Sequence, residues 1–305
     1  MITEGRIPVV LITGFLGAGK TTLLNNLLSN FKDLRTGLLV NDFGEVPVDG
    51  AVLRKNAGDN LIYEIGNGSI FCSCLKANFI FGLKYFQAQK PDVLFIETSG
   101  LSDPSGFGSI LRDYRMDTSF SICSIVCLVD ASRYHAAVHN LEAPKKQVRA
   151  ADIILINKSD LVQEQQLKDL YKDISKVNGN SEIQTGSFGV FELGSILSRV
   201  SDDRLGTWES CNTVEERPET LFIETDGVAK GVVVQFIDSA LPLTFRLKGV
   251  VNFSGKPVYV SDSNGQAVWD SDFPEDFTGR FGLTVFAKPG KSKEITELWR
   301  ERGIV

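Results

Sequence analysis

The segment from Val9 to Leu28 constrains this chain more than any other. It reads Val-Val-Leu-Ile-Thr-Gly-Phe-Leu-Gly-Ala-Gly-Lys-Thr-Thr-Leu-Leu-Asn-Asn-Leu-Leu, a short apolar run, a glycine-rich turn and an apolar-periodic segment. Gly14, Gly19, Lys20 and Thr21 satisfy the pattern G-x-x-x-x-G-K-S/T in full, with Gly17 and Ala18 inside the turn and Thr22 just beyond it. Glycines let backbone N–H groups turn inward around an anion. Lys20 is placed to reach terminal phosphates, and the Thr21 hydroxyl to hold Mg²⁺. The helix that follows directs the positive end of its dipole at the same place. Val9 to Ile12 reads as a buried strand with Pro8 at its start, where a missing N–H costs least. Leu23, Leu24, Leu27, Leu28 and Phe31 share one helical face. This strand–turn–helix setting marks a nucleotide phosphate site.

Two further strands end in residues suited to that site. Gly37 to Val40 reads as a strand leading into Asn41-Asp42-Phe43-Gly44-Glu45. Acids just past the carboxyl end of a strand sit where open parallel sheets bind ligands. Asp42 and Glu45 are therefore candidates for Mg²⁺, an attacking water or another cation; an acidic turn or cap is the plainer reading. Asp92 to Glu97 is a strand running into Thr98-Ser99-Gly100. Glu97 is placed to hold Mg²⁺ through water, and the Gly100 N–H to sense a γ-phosphate.

Downstream, Ser124 to Asp130 is an apolar strand ending in acid, with Cys123 and Cys127 expected in the core. Asp152 to Ile156 leads into Asn157-Lys158-Ser159-Asp160. A carboxylate at Asp160 can accept from both N1–H and the exocyclic N2 amine of guanine, a donor pair that adenine lacks. Asn157 bonds to the base or to a loop, and the Lys158 stem lies along the base plane. Ser187-Phe188 is a candidate for a further loop over the base.

The transition-metal signal is thinner. Leu61 to Ile65 reads as a short strand, followed by Asn67-Gly68-Ser69-Ile70-Phe71-Cys72-Ser73-Cys74. Paired thiolates at Cys72 and Cys74 suit Zn²⁺, Cu⁺ or Co²⁺, yet two cysteines do not complete a site, and two part-buried thiols without metal are the alternative. Phe79 to Phe86 reads as a core helix. His135 and His139 are the only histidines and share a helix face. An i, i+4 pair of this kind can bind a metal; no Glu follows His135, so the zincin pattern is absent, and a solvated or partly buried helix face is the plainer reading.

Bulk properties narrow the function classes. A net charge of −6 offers no basic footprint for nucleic acid or an anionic membrane. No apolar run approaches the roughly 18 residues of a membrane helix. The N-terminus leads directly into the first strand without a signal-peptide pattern, and the five cysteines fall short of a disulfide framework, so a cytoplasmic protein with reduced thiols is expected. Strand and helix patterns alternate to about Val200, which predicts an α/β domain over residues 1–200, a mostly parallel sheet with helices on both faces. Residues 201–218 are polar, acidic and aperiodic and read as a linker. Residues 219–305 read as a smaller α+β domain, with strands at Leu221–Thr225, Gly231–Ile237, Thr244–Val251, Pro257–Val260, Ala267–Trp269 and Gly282–Ala287. Ser292 is placed to cap a last helix carrying Ile295, Leu298 and Trp299 and ended by Gly303.

Taken together, Gly-Phe-Leu-Gly-Ala-Gly-Lys-Thr-Thr at 14–22, Asn-Asp-Phe-Gly-Glu at 41–45, Val48-Asp49-Gly50, Ile96 to Pro104, Asn157-Lys158-Ser159-Asp160-Leu161 and Arg246-Leu247-Lys248-Gly249 resemble the CobW-type GTPases. These are relatives of the urease and hydrogenase nickel-insertion GTPases. The likeness runs through nearly all of the first 200 residues and is weaker beyond them. It implies a P-loop NTPase fold followed by a CobW C-terminal-like domain. It further implies slow hydrolysis of GTP to GDP and phosphate, with Lys20, Asp42 and Glu97 in the catalytic machinery. Mg²⁺ is implied at Thr21, Asp42 and Glu97, and guanine recognition at Asn157, Lys158 and Asp160. The implied role is GTP-dependent delivery of a metal or assembly of a metal-containing cofactor. Expected partners are a guanine nucleotide and a client metalloprotein or cofactor-assembly enzyme, with homo-oligomerisation left open. One motif departs from the family. The usual Asn-Gly-Cys-x-Cys-Cys is here Asn67-Gly68-Ser69-Ile70-Phe71-Cys72, so only Cys72 falls on a family cysteine position and Cys74 is an extra thiol. Either Cys72 and Cys74 bind Zn²⁺ or Co²⁺ with Glu45 or Asp42, or the protein is a GTPase switch acting on a client protein or an organic cofactor such as a corrinoid. A small-molecule kinase is a third class, against which Asn157-Lys158-Ser159-Asp160 argues.

Overall fold

Strands β1 (Ile7–Gly14), β2 (Thr36–Asn41), β3 (Leu61–Ile65), β4 (Val93–Glu97), β5 (Phe120–Asp130), β6 (Ile153–Asn157) and β7 (Glu182–Thr185) form one parallel sheet in the order β3-β2-β4-β1-β5-β6-β7. They belong to a computed structural model that describes residues 5–31, 33–41, 60–65, 76–194, 196–197, 218–263, 265–271, 273–274, 277 and 279–302. These residues separate into two compact units, one before and one after residues 198–217.

β1, β4, β5 and β6 are buried along their whole length, as near-continuous apolar strands must be when helices cover both faces. The two faces sort by alternate residues. Val10, Ile12, Phe95, Val126 and Leu155 pack against Leu23, Leu24, Leu27 and Leu28 of α1 (Lys20–Asn30). Each of those leucines contributes about 1.5–3 kcal/mol by leaving water. On the opposite face, Val9, Leu11, Leu94 and Ile96 meet Phe79, Leu83 and Phe86 of α2 (Lys76–Gln89) and Phe107 and Ile110 of α3 (Phe107–Asp113). Farther along it, Cys127, Val129, Ile154 and Ile156 meet Tyr134 of α4 (Tyr134–Asn140), Val148 of α5 (Ala143–Ala150), and Leu170 and Ile174 of α6 (Glu164–Val177). β1 runs two residues farther at each end than its apolar run suggests. The β4 ladder begins at Val9, so at Pro8 only β5 is paired and the missing N–H is tolerated.

In the second unit, β8 (Thr220–Glu224), β9 (Thr244–Phe253), β10 (Lys256–Ser263), β11 (Gln266–Asp270) and β12 (Gly282–Ala287) form an antiparallel sheet, ordered β11-β10-β9-β12-β8. Leu247, Val251, Val260, Leu283 and Val285 on one face pack against α7 (Lys230–Ala240) and α8 (Ser292–Arg300), where Phe236 and Trp299 meet edge-to-face at 4.8 Å. Two expectations are corrected here. Gly231–Ile237 is not a strand but part of α7. Its valines suggest β structure, but the buried residues are Val233, Phe236, Ile237 and Ala240, a helical spacing that becomes visible only when the window extends past Ile237. Ser292 is the first residue of α8 rather than its cap, which is Lys291.

Candidate nucleotide site

The carboxyl ends of β1, β4, β5 and β6 converge because the parallel register aligns them. Ile12 lies opposite Glu97, Gly14 opposite Leu128, and Asp130 opposite Asn157. The phosphate turn leaves β1 at this edge. Gly19 there has φ 105°, and a Cβ on it would come within 2.4 Å of Asn157 Nδ2, so both backbone and packing demand glycine. α1 starts with no side-chain cap and no acid in its first turn, which leaves its N-terminal N–H groups to an anion. Lys20 is buried, and its Nζ donates to the carbonyls of Gly14 (2.9 Å) and Phe15 (3.4 Å), which folds the ammonium into the turn. Thr22 is exposed on the following turn.

Thr21 Oγ1 lies 3.3 and 3.5 Å from the two carboxylate oxygens of buried Glu97, a side chain 76 residues away. A hydroxyl beside a carboxylate at the mouth of the Lys20 turn is a hard-oxygen set of the kind Mg²⁺ selects. Gly100, on the loop after β4, backs onto the phosphate turn so closely that a Cβ would meet Leu16 N at 2.8 Å.

Asn157 is buried, with its Nδ2 donating to Ala18 O (2.9 Å) and its Oδ1 accepting from Gly189 N (3.2 Å). Of the two roles foreseen for it, the structure displays the loop-holding one. Lys158 sits in the left-handed region (φ 59°), and its Nζ pairs with Asp130 Oδ2 at 2.7 Å. Asp130 is in turn held by Ser132, whose N and Oγ donate to its Oδ1. The tether fixes the Lys158 head. Asp160 is exposed, on the short turn Ser159–Leu161, and its backbone N donates to Ser187 Oγ (3.2 Å). Ser187, exposed Phe188 and Gly189 close over this end, and Asn26 of α1 donates to the carbonyls of both Phe188 (3.1 Å) and Gly189 (2.8 Å).

Several partners escaped sequence reasoning. Asp130 was visible only as a strand-end acid, and its pairing with Lys158 needs the β5–β6 register. Asn26 and Gly189 carry no motif at all. Asp42, Glu45, Cys72 and Cys74 lie outside the described residues. Among the described residues no group of three or more His, Cys, Asp or Glu side chains is arranged to hold a metal. His135 and His139 are exposed on α4, and His135 Nε2 lies 3.2 Å from Asp173 Oδ2. A hydrogen bond from Lys176, and then one from His135, holds the Asp173 carboxyl below its ordinary range. Cys123 and Cys127 are buried as expected, neither in a disulfide. Burial pushes the Cys127 thiol up to about 12, with a smaller opposing pull from Lys20, which keeps it neutral and inert toward metals. No helix among the described residues is long and apolar enough to cross a membrane.

A sequence model described as the CobW/HypB/UreG nucleotide-binding domain matches residues 8–185. The chain is 30% identical over 302 residues to the zinc chaperone YjiA of Escherichia coli, covering 88% of each. It is 28% identical over 303 residues to the zinc chaperone CobW of a Sinorhizobium species, covering 84% of each. Among solved structures, the Zn(II)-bound YjiA GTPase from E. coli aligns over 97% of this chain and 98% of its own, at 20% identity and a TM-score of 0.48.

Proposed function

The chain belongs to the CobW/HypB/UreG family, and from that premise we propose that it is a GTPase metallochaperone or metal-cofactor insertion factor, coupling its nucleotide state to cargo and client. The observation that carries the nucleotide reading is the pairing of Thr21 with Glu97 beside buried Lys20. The reaction is GTP + water → GDP + phosphate. Lys20 offsets charge on the transferring phosphoryl group, and the uncapped N-terminus of α1 supplies N–H donors beside it. Thr21 and Glu97 would hold Mg²⁺, which supplies further charge neutralisation when bound. Asp42 positions the attacking water. At the other end, Asp160 reads guanine along the Lys158 stem, while Asn157 holds the loop on which the phosphates sit. The test is competition between GTP and ATP for wild type and Asp160→Ala. Wild type should prefer GTP and the variant should lose that preference; equal binding of both nucleotides by wild type ends the reading.

On the metal side, the names of the relatives favour Zn²⁺ over Co²⁺ as cargo. Cys72 and Cys74 are its candidate ligands, with Glu45 or Asp42. Guanine nucleotide and a client metalloprotein or cofactor-assembly enzyme are the partners that follow, with residues 201–218 as a linker to the second domain. Ser69 and Phe71, where the family carries cysteines, favour a second reading: a GTPase switch on a client protein or organic cofactor without a transition metal. Zinc titration of wild type against the double variant Cys72→Ala, Cys74→Ala separates the two. Stoichiometric tight binding lost in the variant supports the first, and no binding by either protein supports the second. Equal cargo affinity in the GTP and GDP states would refute the coupling.

A further inference from the structure

Gln147 sits in mid-helix on α5, within the strongly polar run Lys145-Lys146-Gln147-Val148-Arg149, yet is fully buried. Its Nε2 donates to two carbonyls across a long stretch of chain, Gly100 O at 3.1 Å and Ser102 O at 3.0 Å. Both amide hydrogens are thus committed to the turn that follows Glu97. Inside that turn Ser99 and Ser102 join their hydroxyls at 2.7 Å, and Gly100 rests against the backbone of Leu16. The other end of the amide is different. Gln147 Oε1 and Tyr134 Oη are both buried without a hydrogen-bond partner. Both side chains line one small pocket, together with Phe15 and Leu16 of the phosphate turn and Asp130 of the Lys158 clamp.

We propose that Gln147 is a positioning residue that latches the Gly100 turn against the phosphate turn, and that this latch engages with GTP and releases with GDP. The proposal rests on the GTP reading above. Three contacts meet at the turn: Gly100 on Leu16, Gln147 on Gly100 O, and Gln147 on Ser102 O. Because Gln147 and the turn are buried, the turn cannot shift while the amide stays put without orphaning two carbonyls and two N–H groups. Tyr134 Oη lines the same pocket but makes no hydrogen bond to the turn. A γ-phosphate drawing Gly100 onto the phosphate turn would favour the arrangement in which these contacts are made, and its loss would disfavour it.

The test uses the full chain loaded with GDP or with a non-hydrolysable GTP analogue. In Gln147→Leu, kcat for GTP should fall about 10- to 100-fold, as for a misplaced active-site group. GDP affinity should change by less than about threefold, so the preference for the GTP analogue over GDP declines. Tyr134→Phe, which lines the pocket without hydrogen-bonding the turn, should keep kcat within about threefold. Equal losses of GTP and GDP affinity in Gln147→Leu, or an unchanged kcat and preference, overturn the proposal. A measurement on wild type alone guards against a variant that does not fold: the side-chain amide proton resonances of Gln147 should differ between the two nucleotide states, and identical resonances overturn the latch. If wild type hydrolyses GTP while Gln147 proves indifferent, only the latch falls. If wild type binds no guanine nucleotide, the GTP reading falls with it.

Discussion

In the strands that flank the phosphate turn, a charged side chain occurs only as the last residue, Glu97 on β4 and Asp130 on β5, while β1 and β6 carry none. In the antiparallel sheet, charge lies within the strands: Arg246 and Lys248 on β9 and Asp262 on β10, with Lys248 and Asp262 buried. The first arrangement separates tasks. Apolar strands supply the stability, and the chemistry begins where each strand leaves the sheet. The second mixes them, so a change inside a strand disturbs packing and polar contacts together. Substitutions at the edge of the parallel sheet should therefore alter nucleotide handling with little loss of fold, and substitutions within the second unit should do the reverse.

The largest expected departure is structural. Phe236→Ala empties the contact with Trp299 and should cost about 3–5 kcal/mol in denaturant unfolding of the second unit. The GTP-over-ATP preference should be untouched; a shift in that preference would break the contrast. Next in size is Lys20→Ala, expected to reduce GTP turnover roughly 10²- to 10³-fold, as removal of a key charge-stabilising donor does. The apolar core of α1 should remain, checked by far-ultraviolet circular dichroism. Smaller again is Asp130→Asn, which unties Lys158. It should weaken GTP and GDP alike, by roughly tenfold to a hundredfold for a hydrogen bond to a charged group, as read by equilibrium titration. A loss confined to GTP would mean that Asp130 acts at the phosphates instead.

The smallest effect concerns surface charge. The Asp173 carboxyl is held below its ordinary range by Lys176 and His135, so the stability it lends is present above the unfolded carboxylate pKa of about 3.9 and is lost as pH falls through its lower folded value. Asp173→Asn should lower Tm slightly at pH 7, converge with wild type in acid, and lose most of its effect in high salt because the pair is half-exposed to solvent.

The same contrast governs what could be read in advance. The turn between β1 and α1 and the strands ending at Glu97 and Asn157 were legible because a glycine-rich turn between an apolar strand and a helix with one apolar face admits few residue types at fixed spacing. The alternating pattern of the first unit followed, since strands covered on both faces must be apolar throughout. In the second unit, Val232-Val233-Val234 reads as strand by composition, and only the burial of Phe236, Ile237 and Ala240 reveals the helix. Side chains that act through others stayed hidden. Gln147 among lysines and arginine resembles a solvated helix position, and Asn26 resembles any polar helix residue. Their partners lie 47 and 162 residues away, a separation that no local pattern encodes.

The Asn157 clasp has a consequence for redesign. Its Nδ2 donates to Ala18 O and its Oδ1 accepts from Gly189 N, so the side chain ties the phosphate turn to the loop after β7. Replacing Asn157 would therefore loosen the phosphate turn first. Asp160, exposed and with its backbone N held separately by Ser187 Oγ, can be exchanged without disturbing that clasp.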